Sequence, residues 1–260
     1  MTPKPVGFDR KIQLDWLNAT ADWAAQGLAA TDIRARLQRL LEGSVAGAGS
    51  HSARGKTTTV LMHVWVRTPD TATPLRRDGL DLLQGRSGRA RLPLHWGMCL
   101  ATYPFFADVV AVVGRLLSLQ PTFTQSQVTR RITEGWGDRS TVVRATQRVL
   151  RSLVDWQVIG EPTTRGPFAP CKTIPLSNED GLCTWLLEAA ILGTGRTARP
   201  FAGLVGSPVF FPFRLSIRPG DVARNKRLEL HRQGMDEDLV LRKQVPVPGK
   251  ARRDTQLRLI

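Results

Sequence analysis

A mainly α-helical protein with a small β component is the fold class this sequence predicts, and three observations predict it. Apolar residues recur at helical spacing through most of the chain between residues 8 and 156. Alternation at period two is confined to the last quarter, in "GSPVFFPFRLSIRPG" and "RLELHRQGMDEDLVLRK". Between these regions "EPTTRGPFAPCKTIPLS" sets Pro/Gly turns among short extended pieces. The chain therefore divides into an N-terminal helical region (1–104), a central unit (105–177), and a helix plus a β-rich basic segment (178–260).

Residues 8–45 predict one or two short helices, with Trp16, Leu17 and Trp23 as core anchors. In Asp32–Leu41, Ile33, Leu37, Leu40 and Leu41 form an apolar side, and Arg34, Arg36 and Arg39 occupy the remainder. Gly43–Ser52 reads as a connector, ended where Thr57 or Thr58 caps the helix "TVLMHVWV" before Pro69.

Gly55-Lys56-Thr57 within that stretch looks like the end of a nucleotide-binding P-loop. Such a loop needs a first glycine, four residues, then Gly-Lys-Ser/Thr after a buried strand. Here Ser50 stands at the first glycine's position, and a helix pattern precedes it. A solvated connector carrying Lys56 is the expectation instead.

Helical patterns continue through 75–85 and 92–120, with Pro104 at a break or in the first turn after it. Trp96, Tyr103, Phe105 and Phe106 are expected in the core, since aromatics dominate core packing. "GRSGRARLP" (85–93) reads as an exposed basic loop. Gln233-Gly234 is placed to turn the last stretch into a hairpin, with Asp236-Glu237-Asp238 in its loop.

Charge narrows the function. Thirty-seven Lys and Arg stand against 22 Asp and Glu, a net +15, which attracts polyanions, nucleic acid first and anionic membrane second. The span 196–260 holds 14 of those cations against 6 acids, so an interaction surface is expected there. The N-terminus lacks the apolar core of a signal peptide, and no window of about 18 apolar residues occurs. Three cysteines and 4 histidines are dispersed, at spacings that suggest neither a disulfide framework nor a zinc site. A reduced, cytoplasmic protein without a metal, a cofactor or a membrane partner is expected.

The informative stretch is Leu119 to Ser177. Thr122-Phe123-Thr124 is β-prone, Gln125–Glu134 is a helix with Val128 and Ile132 inward, and "GWGD" turns, with Asp138 or Ser140 as the next N-cap. A long helix then runs from about Arg139 to Trp156. Val142, Val149 and Leu153 share one side, flanked by Ala145, Thr146 and Trp156. Ser140, Arg144, Arg148 and Arg151 share the opposite side, with Thr141 and Gln147 at its margins. Arginines in one column repel one another unless something acidic lies along them.

Helix, short strand, helix, turn, basic helix, β-loop: over residues 105–177 this order resembles the winged helix-turn-helix family. The resemblance implies that Arg139–Arg151 is a recognition helix for the major groove of duplex DNA. By the same resemblance Arg130 and Arg131 meet phosphates near the turn, and Arg165 and Lys172 sit on the wing. A longer stretch, "KTTTVLMHVWV…LRRDGLDLL…LHWGMCLATYPFFADVVAVVGRLL" with Tyr103-Pro104 ahead of the winged-helix segment, resembles the BrxA-type proteins of bacterial BREX anti-phage defence. That likeness implies a non-enzymatic accessory subunit on double-stranded DNA, working beside a methyltransferase and an ATPase. The basic β tail beyond residue 196 departs from it. Two other functions fit the residues: a subunit docking on acidic proteins or RNA, and a transcriptional repressor. An enzyme would need a site assembled from distant carboxylates.

Overall fold

The helical spacing of the first two-thirds of the chain becomes eight helices in a computed structural model that describes residues 5–160, 166–195, 198–233 and 237–243. They are α1 (Leu14–Ala25), α2 (Ala30–Leu40), α3 (Ala53–Trp65), α4 (Thr73–Leu82), α5 (Leu92–Thr102), α6 (Pro104–Leu119), α7 (Gln125–Trp136) and α8 (Ser140–Asp155). Short strands β1 (Ile159–Gly160), β2 (Ala169–Pro170) and β3 (Ile174–Ser177) lead to α9 (Leu182–Thr194). Then follow β4 (Ala198–Pro200), α10 (Phe201–Val205), β5 (Phe213–Ser216), α11 (Pro219–Ala223), β6 (Leu228–Gln233) and β7 (Glu237–Arg242). Helices dominate and the strands are short, so the expected class, mainly α with a small β component, holds.

The centre of the fold is the pair α5 and α9, apolar on every side and buried over almost their whole lengths. Glycines let them touch. A Cβ at Gly97 would overlap the Trp185 ring, and one at Gly193 would overlap the Leu100 carbonyl. Pro104 takes the first position of α6, where its missing N–H is harmless, and α6 leaves α5 at 118°. No single helix among the described residues is long and apolar enough to cross a membrane. Trp96, Tyr103, Phe105 and Phe106 are all buried, as core residues should be. Side chains from Phe8 to Val240 join one continuous apolar core across the three segments read from sequence.

The strands form three small sheets. β1 pairs antiparallel with β2, β3 pairs parallel with β5, and β7 lies between β4 and β6. β6 and β7 form the expected hairpin, with Gln233 opposite Glu237; Gly234 and Asp236 lie outside the described residues. Glu237 and Asp238 belong to β7 rather than to its loop.

Local details differ from the sequence reading. Ser52, not Thr57 or Thr58, caps α3, so the helix starts four residues before Thr57, and both threonines are buried within it. Leu40 is 40% exposed, because Ile33, Leu37 and Leu41 already fill the inward arc of α2. Trp23 is half-buried, with the Arg36 guanidinium 5.7 Å from its ring centre. Arg139 is the N-cap of α8, with no side-chain cap, where Asp138 or Ser140 was expected. Most of the basic stretch 85–93 is exposed as expected, but Gly88–Arg91 forms a short 3₁₀ turn and the arginines of the stretch are engaged. Arg86 pairs with Asp180, Arg91 with Asp22 at 2.6 Å, and Arg89 donates to the Gln157 carbonyl at 2.7 Å.

Candidate functional site

The candidate site grows from the pair α7 and α8. Thr124 closes the start of α7 with a reciprocal capping box: its Oγ1 accepts from the Gln127 amide, and Gln127 Oε1 accepts from the Thr124 amide. Val128 and Ile132 are buried beneath it. Gly137 ends the helix at φ +83°, a backbone state that other residues rarely adopt.

α8 then buries Val142, Ala145, Thr146, Val149 and Leu153, with Trp156 just beyond it. Thr146 Oγ1 donates to the Val142 carbonyl at 3.0 Å. Ser152 Oγ accepts the Ile12 amide at 2.8 Å, and Trp156 Nε1 donates to the Ile12 carbonyl at 2.9 Å. Asp155 accepts the Leu14 amide at 2.9 Å. An N-terminal strap, residues 5–13, is thereby bolted along α8, with Phe8 packed edge-on against Tyr103.

Beyond α8, Phe123 and Phe168 exchange backbone hydrogen bonds, and Ile159 and Gly160 face Pro170 and Ala169. The chain order is thus helix, bridge, helix, helix, two-stranded hairpin. Arg165, expected on this hairpin, lies outside the described residues, and Lys172 is exposed just past β2.

The other predicted site residues lie at the surface of α7 and α8, and Arg139, Thr141, Arg144 and Arg148 line one groove. Arg130, Arg131, Ser140, Thr141, Arg144, Arg148 and Arg151 are exposed, and Arg139 and Gln147 are half-buried. None of Arg130, Arg131, Arg144, Arg148, Arg151 and Lys172 has a described carboxylate within 4.0 Å. Arg144 reaches only Ser140 Oγ, at 3.4 Å.

The exposed arc of α8 has two halves. Thr141, Arg144 and Arg148, with Arg139 before them and the buried Ala145 beside them, line a groove of about 630 Å³. Its opposite wall is the strap, including Asp9 and Arg10, together with Lys56 and Thr59 of α3. Ser140, Gln147 and Arg151 lie on the other half of the arc and do not line the groove. Arg10, Lys56 and Thr59 were missed in the sequence. They lie 82 or more positions from Thr141 and share no pattern with it.

Lys56 also answers the P-loop question. Ser52 Oγ accepts the Gly55 amide at 3.1 Å, so a side chain holds that amide. Arg54 fills the connector, its amide donating to the Ala46 carbonyl at 3.3 Å and its Nε to the Val45 carbonyl at 3.2 Å. A Cβ at Gly55 would overlap the Gly49 and Ser50 carbonyls. Glycine serves packing here, and Lys56, one residue on, faces the groove rather than a solvated connector.

The basic tail is less free than its composition suggests. Arg227 Nε donates to both carboxylate oxygens of buried Glu188 on α9, at 2.8 and 2.9 Å, and its Nη1 to Asp78 at 2.6 Å. Arg242 lies 3.7 Å from Glu188 and donates to the Thr71 carbonyl. These arginines fasten the hairpin to the helical body.

A separate cavity of about 840 Å³ lies beside the strap, between His63, Tyr103, Asp108 and Trp136. Asp108 there accepts from Trp136 Nε1 at 2.9 Å, and the Tyr103 hydroxyl donates to the Val60 carbonyl at 3.3 Å. Burial pushes the Cys99 and Tyr103 protons toward retention, and raises the Cys183 thiol to about 11. Cys99, Cys171 and Cys183 are free thiols. Among the described residues no three or more His, Cys, Asp or Glu gather in a way that would hold a metal ion.

No protein-family model matches the chain, and neither curated proteins nor solved structures yield a match.

Proposed function

We propose that this chain is a non-catalytic, double-stranded-DNA-binding protein of the cytoplasm. In this reading α6, α7, α8 and the β1–β2 hairpin act as a winged helix-turn-helix, with α8 as the recognition helix. The observation that carries it is the column Arg144, Arg148 and Arg151, exposed and without a carboxylate partner among the described residues. Elsewhere the protein pairs many of its arginines, as with Arg54, Arg86, Arg91 and Arg227. Cations left facing water in a row suit the regular negative charge of a phosphate backbone. Hydrogen bonds from the strap and the start of α1 to Ser152 and Asp155 anchor α8, and a reading element needs such support. An accessory role in phage defence, beside a methyltransferase and an ATPase, is the further part of the proposal and draws on the BrxA-type resemblance.

The test is duplex binding by wild type and by Arg144→Ala/Arg148→Ala/Arg151→Ala. Neutralising about six phosphates gives a log–log salt slope near −5 for wild type. The triple variant keeps its melting temperature, since alanine is the better helix former and the positions are exposed. Its affinity falls about tenfold or more, because one good bidentate base contact is worth roughly 1–3 kcal/mol. Unchanged duplex binding by the folded variant would overturn the assignment of α8, move the DNA site to the basic tail after Arg196, and leave the winged helix as a protein-docking or structural module.

A further inference from the structure

We propose that the groove between α8, the strap and α3 is a grip for the DNA phosphate backbone, with Lys56 and Arg10 on one wall and Arg144 and Arg148 on the other. This rests on the duplex-binding reading and divides the work within it.

Five cations line the groove, Arg10, Lys56, Arg139, Arg144 and Arg148, against one carboxylate, Asp9. They come from three separate parts of the chain. Like charges gathered in a concavity repel one another, and that arrangement is stable only because water or a polyanion fills the space. Low-dielectric walls focus the field on whatever enters. Lys56, Arg144 and Arg148 have no described carboxylate within 4.0 Å; Arg10 Nη1 lies 3.5 Å from the Asp9 carboxylate and donates to the Asp9 carbonyl, while its Nε, shielded from water, has no described hydrogen-bond partner. The first turn of α8 has no side-chain cap, and Thr141 in that turn lines the groove. Uncapped amides at a helix start attract phosphate oxygens.

Size assigns the occupant. A space of about 630 Å³ accepts a ridge of sugar and phosphate, whereas a whole duplex is wider than its own major groove of about 12 Å. With one strand's phosphates held between α3 and α8, the other half of the α8 arc (Ser140, Gln147, Arg151) is turned toward base edges. Phosphate contacts position a protein on DNA and base contacts specify the sequence. Groove residues therefore act equally on every duplex.

The experiment measures binding of the full chain to three duplexes of equal length and unrelated sequence, each across a salt series. The variants are Lys56→Gln, Lys56→Gln/Arg10→Gln, Arg144→Ala/Arg148→Ala, and Arg39→Gln on the exposed face of α2 as a charge control. Lys56→Gln lowers affinity by about two- to fivefold, the range of an exposed ion pair, by the same factor on all three duplexes. The Lys56/Arg10 double variant makes the salt slope shallower by about 1.8, at about 0.9 per lost phosphate contact. Arg39→Gln moves neither quantity. Lys56 is exposed, so its single variant remains informative if loss of the shielded Arg10 disturbs folding. The grip is overturned if both Lys56 variants keep the wild-type slope while Arg144→Ala/Arg148→Ala loses binding; DNA binding through α8 then stands. It is equally overturned if Arg39→Gln flattens the slope as much, since bulk charge would then suffice. A wild-type protein that binds none of the duplexes removes the DNA reading itself.

Discussion

His95 shows how a single side chain is held to one chemical state. Its ring is fully buried on α5, where Nδ1 accepts from Trp65 Nε1 at 2.9 Å and Nε2 donates to Asn18 Oδ1 at 2.9 Å. Both bonds suit the neutral ring protonated on Nε2. Burial, and then the nearby Arg91 guanidinium, lower its pKa from 6.5 to about 3. A depressed folded-state pKa means that the unfolded chain takes up a proton first as the medium is acidified. The stabilisation is therefore complete above pH 6.5 and is lost progressively between pH 6.5 and about 3. Each unit in that window removes up to about 1.4 kcal/mol. Chemical melts at pH 7, 5 and 4 check this: His95→Gln, less stable at neutral pH, shows a flatter acid dependence than wild type. Parallel curves for the two proteins would contradict it.

At the scale of elements, close approach decides the architecture. α5 and α9 are both apolar all round, so composition alone does not say which faces meet. Gly97 against the Trp185 ring and Gly193 against the Leu100 carbonyl select the faces, because only there can the helices come within reach. Gly193→Ala forces a methyl group toward backbone that cannot rotate aside. The expected loss is about 1–3 kcal/mol, the usual range for overpacking a core, read as a lower denaturation midpoint with an unchanged slope. Gly203→Ala in α10, where a Cβ meets only Pro200 Cβ at 4.0 Å, is the comparison and changes stability far less.

Across the whole molecule, charge is sorted into two uses. Glu188, with no exposed surface, is bridged by Arg227 to Asp78, so α4, α9 and the C-terminal hairpin meet at one buried carboxylate. Removing one partner of such a pair strands the other charge in a dry site, at about 3–5 kcal/mol. Arg227→Gln, which leaves the buried Glu188 carboxylate with only the more distant Arg242, is accordingly expected to lower stability toward that scale and to speed hydrogen exchange at Leu228 and Val240, which the hairpin buries. Exchange at Val142 and Val149, beneath the arginine face, serves as the internal reference. Arg130, Arg131, Arg144, Arg148 and Arg151 on α7 and α8, and Lys56 on α3, face water, and with a net charge of +15 they favour contact with polyanions.

Period was legible in the sequence because it is local, whereas the caps expected for α3 and α8 were misplaced. The 3.6-residue spacing located α2, α7 and α8 within a few residues, and the arginines of α8 fell on the exposed arc as Val142, Val149 and Leu153 turned inward. The start of α3 was misplaced because Ser52 competes with Thr57 and Thr58 for the cap, and only the packing of Gly55 on the Gly49 and Ser50 carbonyls decides between them. Which arginines are tied down was not legible: nothing local separates Arg227, fixed to Glu188, from Arg148, open to water. Composition and periodicity by themselves determined a basic, mainly helical chain with an arginine-lined helix. Tertiary structure alone decided that Arg10 and Lys56 face that helix across a groove. Electrostatic contacts act through space, over a Debye length of about 10 Å at 0.1 M salt, whereas periodicity acts along the chain.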